Sequence, residues 1–561
     1  MIVYTLSAML SKQFIKLRKF RNEQSNHSVW KDIMKSNNVW KESIKKANGK
    51  NVLIATSTGG HRAVTPVESL LAAALTLRGA RVHFLLCDKM LPACLQATYQ
   101  GLTDPNEFAT FGPQKSLCDD CFGFGSKMYA PFNLPIHLYS DYISDNEIER
   151  INKKVAKVDV SSIKELKVDG LAIGEHALAG ALRFFAKADI SGEPHADTVL
   201  KRYLAASLIT KCVIERLLAK ISFDVGVFHH GIYVPQGIVG EVMRAKNLSV
   251  VNWNPAYRKK CFIFSHGDTY HHTLISEPTN KWENLKLTKK LKKKLQLYLK
   301  SRWTGSGDWI WFHESPKFDT SFIAKELNID FSKPTIGMLT NVMWDAQLHY
   351  RENAFGDMLS WIRETIRYFK LRGDLQLVIR VHPAEIRGTL PSRQRVLNEI
   401  KKEFPNLPSN VYVIPPESHA STYTVMSKCN AVIIFGTKTG VELTSMGIPV
   451  IVAGEAWIRN KGLTLDAQSP KHYRQLLDKL PFSGGMDIKI QRKARKYAYH
   501  FFFRRMIPIA GVEPTKGWPP YELRFKSLEQ LKPGVDQGLD TICDGILKGS
   551  DFIYKDESIN G

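Results

Sequence analysis

The sequence predicts a parallel α/β protein built as two halves, and three observations lead there. At 561 residues the chain is too long for one typical domain and suits two large ones. Strand, loop, helix and strand signals alternate at 51–88 and again at 223–253, as crossover-connected parallel strands require. The alternation then restarts at residue 333.

Residues 1–50 are polar and basic and read as an appended helical arm. Its start, "MIVYTLSAMLSKQFIKLRKFR", looks like a basic amphipathic segment and lacks the charged opening and cleavage site of a signal peptide. The first half spans 51–320. "NVLIATSTGGHRAVTPVESLLAAALTLRGARVHFLLCD" supplies its first unit and "FDVGVFHHGIYVPQGIVGEVMRAKNLSVVNW" a later one. A basic, Trp-rich stretch at 281–311 closes it. There, "KLTKKLKKKLQLYLKSR" repeats Leu287, Leu291 and Leu295 every four residues, the mark of a helix with a leucine stripe and a lysine face. Such a face suits bulk solvent or an anionic lipid surface.

The second half spans 321–480. Its strands are expected in "KPTIGMLTNV", "DLQLVIRVHPAE", "NVYVIPP" and "AVIIF". These apolar runs are continuous, as strands covered on both faces should be. The tail, 481–561, mixes helical and Pro-rich pieces and is expected to cross back over the first half.

Composition is ordinary for a globular protein, with 44% apolar and 24% charged residues. The net charge of +24 calls for an anionic partner such as a nucleotide, an anionic glycan or a membrane surface. Nucleic acid is not supported, because no finger spacing, aromatic ribonucleoprotein motif or helix-turn-helix is present. No run reaches the roughly 20 apolar residues of a membrane-crossing helix. The expected location is therefore the cytoplasm, peripheral to the inner face of a membrane.

The chemistry should sit where strands end. After "AVIIF" the loop Gly436, Thr437, Lys438, Thr439, Gly440 precedes a helix, whose free N–H groups and dipole favour phosphate. A plain helix cap explains the threonines as well. After "LQLVIRV" come His382 and Pro383, with Arg380 two residues before His382 and so on the same side of the strand. The carboxyl ends of parallel strands share one crevice, which puts both sets of residues on one rim. In the first half, Gly59, Gly60 and His61 follow the first strand, and His229 and His230 follow another. His61 is the first choice for the base that deprotonates an acceptor hydroxyl, with Glu175 second. His266 and Asp268, clustered with His271 and His272, are read as substrate ligands rather than metal ligands. Cys87, Cys94, Cys118 and Cys121 form two close pairs, which in a chain without an export signal point to structural zinc or an iron–sulfur cluster rather than disulfides. No cofactor is required for the chemistry itself.

"VHPAE" followed by "GTKTGVELTSMGIPVIVAGEAWIRNKGLTLDA" resembles the capsule polysaccharide biosynthesis family. Its members are glycosyltransferases of the GT-B type, several of them using CMP-activated sugars such as Kdo, and bacterial sialyltransferases share the His-Pro and Ser/Thr motifs. The resemblance implies a GT-B-like α/β fold of two Rossmann-like parallel-sheet domains facing a cleft. It implies phosphate binding by His382, Pro383, Thr437 and Thr439. It also implies a nucleotide-sugar donor and a surface polysaccharide or lipid-linked glycan acceptor. The threonines around Lys438 replace the family's usual serines. A nucleotide-sugar epimerase, or a non-catalytic polysaccharide- or membrane-binding protein, is the alternative reading.

Overall fold

The computed structural model describes residues 29–555, apart from 36, 103–104, 310, 313–314 and 347–350. The basic amphipathic start lies outside the described residues.

The first sheet has seven strands: β1 (Asn51–Ser57), β2 (Arg81–Leu86), β3 (Ile136–Leu138), β4 (Val225–His229), β5 (Ser249–Pro255), β6 (Cys261–His266) and β13 (Ile507–Pro508). Their order is β3-β2-β1-β4-β5-β6-β13. The strands from β3 to β5 are parallel, whereas β6 runs against β5 and β13 against β6. The second sheet has six: β7 (Thr335–Leu339), β8 (Gln376–Arg380), β9 (Val411–Ile414), β10 (Ala431–Ile434), β11 (Val450–Val452) and β12 (Leu465–Asp466). Its order is β9-β8-β7-β10-β11-β12, and every pairing is parallel.

Both orders reverse direction at one point, between β1 and β4 and between β7 and β10. Chains leaving the two strands of such a pair turn to opposite faces, which opens a crevice at their carboxyl ends. The apolar runs behave as their sequences require. All four residues of β10 are fully buried, each large side chain contributing roughly 1.5–3 kcal/mol.

The helices fill the space between the halves. Lys289–Thr304 turns Leu291, Leu295, Tyr298 and Arg302 inward. Those side chains join a hydrophobic cluster that also contains Ile263 of β6 and Val432 and Ile434 of β10, so one core spans both halves. The helix Ile488–Tyr499 packs into the same cluster, after which β13 adds to the first sheet and the helix Gln537–Lys548 lies on the helix Thr65–Thr76. Residues 29–46 are likewise integrated. Trp30 and Trp40 are buried in the first core, their indole N–H groups donating to Ser69 Oγ (2.8 Å) and to the Phe132 carbonyl (2.9 Å).

Candidate active site

In the second half, three neighbouring strands end on one edge. Beyond β7 stand Thr340 and Asn341, beyond β8 His382, and beyond β10 the 436–440 loop. The Thr340 hydroxyl accepts from the His382 backbone N–H (3.1 Å), and the Asn341 side-chain carbonyl accepts from the Gly436 N–H (3.2 Å). His382 is oriented by its own loop, since Nδ1 accepts from the Ala384 N–H (3.1 Å). Burial, with Lys438 and Arg380 nearby, lowers its pKa to about 3. The imidazole is therefore neutral at physiological pH, and the ring proton sits on Nε2, where it can be donated.

The helix Thr439–Met446 begins beside it, and the Thr437 hydroxyl accepts from the Thr439 N–H (3.3 Å). Lys438 lies 4.5 Å over the Tyr257 ring and 3.3 Å from Glu442, which Arg302 also pairs (2.8 Å). Burial and Arg302 bring the Lys438 pKa down to about 8. Burial would raise Glu442, but Arg302 and Lys438 hold it below the usual carboxylate range.

In the first half, His61 follows β1 while His229 and His230 follow β4, so both sides of the switch point carry imidazoles. Their rings are neighbours: His61 to His229 is 5.2 Å and His229 to His230 is 5.6 Å. The row continues to His271 (6.0 Å), then to Trp457 of the second half (5.7 Å), then to Tyr257 (6.1 Å), which carries Lys438. An unbroken wall of rings thus joins the two switch points. Burial, joined by Arg183, lowers His61 to about 4 and His230 to about 3, and burial with His230 lowers His271 to about 3. Nδ1 of His61, of His229 and of His230 is buried and has no hydrogen-bond partner among the described residues. Uncharged imidazoles with vacant nitrogens suit hydroxyl groups, to which each can both donate and accept. Across the cleft, the Tyr233 hydroxyl donates to Asp345 (2.6 Å).

Several residues expected at the site are occupied elsewhere. Arg380 is fully buried in β8, its guanidinium donating to the carbonyls of Pro415 and Ser418 and to the Thr422 hydroxyl, so it braces the 415–422 loop. A Cβ on Gly440 would stand 2.6 Å from Ile434 Cδ1, and one on Gly59 or Gly60 would stand 2.8 Å from the backbone of the helix Lys115–Tyr129. These three glycines allow close packing at those positions. Pro383 is the first residue of the turn into the short helix Ala384–Arg387.

His266 is a correction with a topological cause. Because β6 is antiparallel, His266 pairs opposite Val251, two residues back from Trp253, which pairs with His229. It stacks on Phe552 (4.4 Å) and bonds the Ser550 carbonyl instead of facing the cleft. Asp268 is held by His272 (2.9 Å). Burial would raise Asp268, yet that hydrogen bond brings it to about 2. Glu175 is half-buried in the first turn of the helix Ile173–Phe185, with Arg351 and Glu241 as charged neighbours rather than the imidazole row.

The cysteine expectation is also corrected. Among the described residues no three His, Cys, Asp or Glu side chains are grouped to hold a metal ion, and Cys87, Cys94, Cys118 and Cys121 are free thiols. Cys121 is instead packed on the glycine loop, its sulfur accepting from the Gly60 N–H (3.1 Å). Burial raises all four thiol pKa values, Cys118 to about 11 and Cys121 to about 12, which disfavours the thiolate.

Arg183, Asp345, Trp457, Thr340 and Asn341 escaped the sequence reading. The last two follow a strand and were findable by the same strand-end rule. The others arrive from a helix and from loops of the opposite half, with no local signal.

Residues 319–481 match the profile of the family described as capsule polysaccharide biosynthesis protein. No curated protein matches the chain. Among solved structures, a β-Kdo 2,4 transferase, KpsC of Thermosulfurimonas dismutans, is similar at 12% identity, covering 49% of this chain and 79% of its own, with a TM-score of 0.33. Sucrose-phosphate synthase of Thermosynechococcus elongatus is similar at 11% identity over 81% and 93%, with a TM-score of 0.31. A putative UDP-N-acetylglucosamine 2-epimerase of Listeria monocytogenes is similar at 12% identity over 90% and 98%, with a TM-score of 0.27. Scores this low leave the functional argument to the site itself. The likeness to the capsule polysaccharide biosynthesis protein family thus lies in residues 319–481, the segment that carries His382 and the 436–440 loop.

Proposed function

We propose that this protein is a glycosyltransferase of GT-B type that moves a sugar from a nucleotide-activated donor to a glycan acceptor in surface polysaccharide assembly. The observation that carries the reading is the continuous wall from the Lys438 loop to His61. It links a phosphate-type site in one half to a hydroxyl-type site in the other. A CMP-activated sugar such as CMP-Kdo is the favoured donor, on the resemblance of the His-Pro and Thr-Lys-Thr segments and on the family match of the domain that carries them.

Transfer leaves negative charge on the departing phosphate. The Nε2–H of His382, the hydroxyls of Thr437 and Thr439, Lys438 and the start of the helix Thr439–Met446 are placed to stabilise that charge. Transfer also frees a proton from the acceptor hydroxyl. His61 is neutral, with an unpartnered ring nitrogen to receive it. Closing the cleft around both excludes water from the activated donor.

The acceptor is read as lipid-linked, with the enzyme working at a membrane surface. In support, Lys289–Thr304 lies against the basic helix Ile488–Tyr499, and Leu297, Ile488 and Ile490 are exposed on the pair. No described helix is long and apolar enough to cross a membrane. A thermal-shift screen against CMP, UDP, GDP and their sugar conjugates identifies the donor, because selective binding raises apparent stability. Release of free nucleotide only when glycan is added then establishes transfer. Turnover of the donor without any acceptor would instead establish an epimerase or hydrolase.

A further inference from the structure

We propose that Trp518 is the platform on which the acceptor's sugar ring stacks, at the outer end of the imidazole wall; this rests on the acceptor reading of that wall. The indole is delivered by the C-terminal part of the chain, in an antiparallel hairpin of Val512–Pro514 and Tyr521–Leu523. The base of the hairpin is firmly held. Tyr521 is buried, with its ring 4.7 Å from Trp309 and 5.4 Å from Phe262. Its hydroxyl donates to the carbonyl of Ala63, two residues beyond His61, so the hairpin is tied to the loop that carries the candidate base. The tip is closed by the Thr515 N–H donating to the Pro520 carbonyl (2.9 Å).

Trp518 projects from this tip. It is 50% exposed, and its ring lies 6.0 Å from that of His61. Anchoring does not explain the indole, because Tyr521 performs it. A half-bare indole beside a buried, unpartnered imidazole nitrogen is complementary to one kind of ligand. The C–H face of a pyranose carries partial positive charge and packs on the electron-rich indole face, while its hydroxyls reach the nitrogens alongside. The other end of the wall, at Tyr257 and Lys438, is the candidate donor site. Trp518 therefore marks the side from which the acceptor enters.

Two experiments on the full chain test this. In steady-state transfer, Trp518→Ala should raise the acceptor KM about five- to tenfold and leave the donor KM and kcat unchanged, with Trp518→Phe restoring most of the loss. An unchanged acceptor KM, or equal rises in both KM values, overturns the proposal. The second readout needs no turnover. Intrinsic fluorescence is followed in wild type and in Trp518→Phe during titration with methyl glucoside, methyl N-acetylglucosaminide and the methyl glycoside of Kdo. A saturable change in wild type that Trp518→Phe lacks supports stacking, and no such difference with any of the three overturns it. If Trp518 emission responds while no nucleotide binds, the donor reading fails and the platform stands. If nucleotide binds and the emission stays silent, the platform alone fails.

Discussion

Replacing His382 separates its two ring nitrogens. Nδ1 accepts from the Ala384 N–H and shapes the turn, which leaves Nε2–H as the ring's donor. An asparagine places its carbonyl oxygen near the Nδ1 position, so His382→Asn keeps the turn and removes that donor. A glutamine reaches instead to the Nε2 position. A hydrogen bond to a charged phosphate contributes about 1.5–3 kcal/mol, so His382→Asn should weaken nucleotide binding roughly 10- to 150-fold. Its melting temperature should match wild type. His382→Ala loses the cap as well and should also lose about 1 kcal/mol of stability. Because the His382 pKa is about 3, this contribution should not vary between pH 6 and 8. Titration calorimetry with the nucleotide chosen by the thermal screen measures the effect. Wild-type affinity in His382→Asn would show that Nε2 touches nothing in the complex, and the phosphate assignment would fall with it.

The remaining expectations concern the neighbouring groups. The double change Thr437→Ala/Thr439→Ala should lower nucleotide affinity without shifting the melting temperature, and equal affinity in calorimetry would assign both threonines to capping alone. Lys438 has a lowered pKa of about 8, so the unliganded site loses its cation as pH rises through that value. Nucleotide affinity should then fall about tenfold per pH unit above it, and Lys438→Met should show no such limb; a flat wild-type profile up to pH 9.5 would contradict this. His61→Ala should reduce kcat about 10²- to 10⁴-fold with nucleotide binding intact, whereas a silent His61→Ala beside a damaged Glu175→Gln would move the base to Glu175. The protein should sediment with anionic vesicles at low salt and be released at high salt. Glutamine at Lys289, Lys290, Lys292, Lys293 and Lys294 should weaken that association by about 1 kcal/mol per residue, and wild-type indifference to anionic vesicles would end the membrane reading.

The sequence by itself determined the strands and where they stop. Apolar runs such as 431–435 must be covered on both faces, and a polar or glycine-rich break after such a run marks a carboxyl end. That rule located His61, His229, His230, His382 and the 437–439 segment, because each is encoded within a few residues of its strand. What a residue does there depended on partners far away in the chain. Gly59 and Gly60 accommodate the helix Lys115–Tyr129, and Arg380 is drawn to the carbonyls of Pro415 and Ser418. Strand direction was also beyond local reading. His266 ends a strand as plausibly as His229 does, yet β6 runs antiparallel and carries it away from the cleft. Trp457 and Trp518 reach the imidazole row from the opposite half and from the C-terminal hairpin. Periodicity and strand-end chemistry are local properties. The order and direction of strands, and the neighbours they bring together, are set by packing the whole core, and only the tertiary structure decides them.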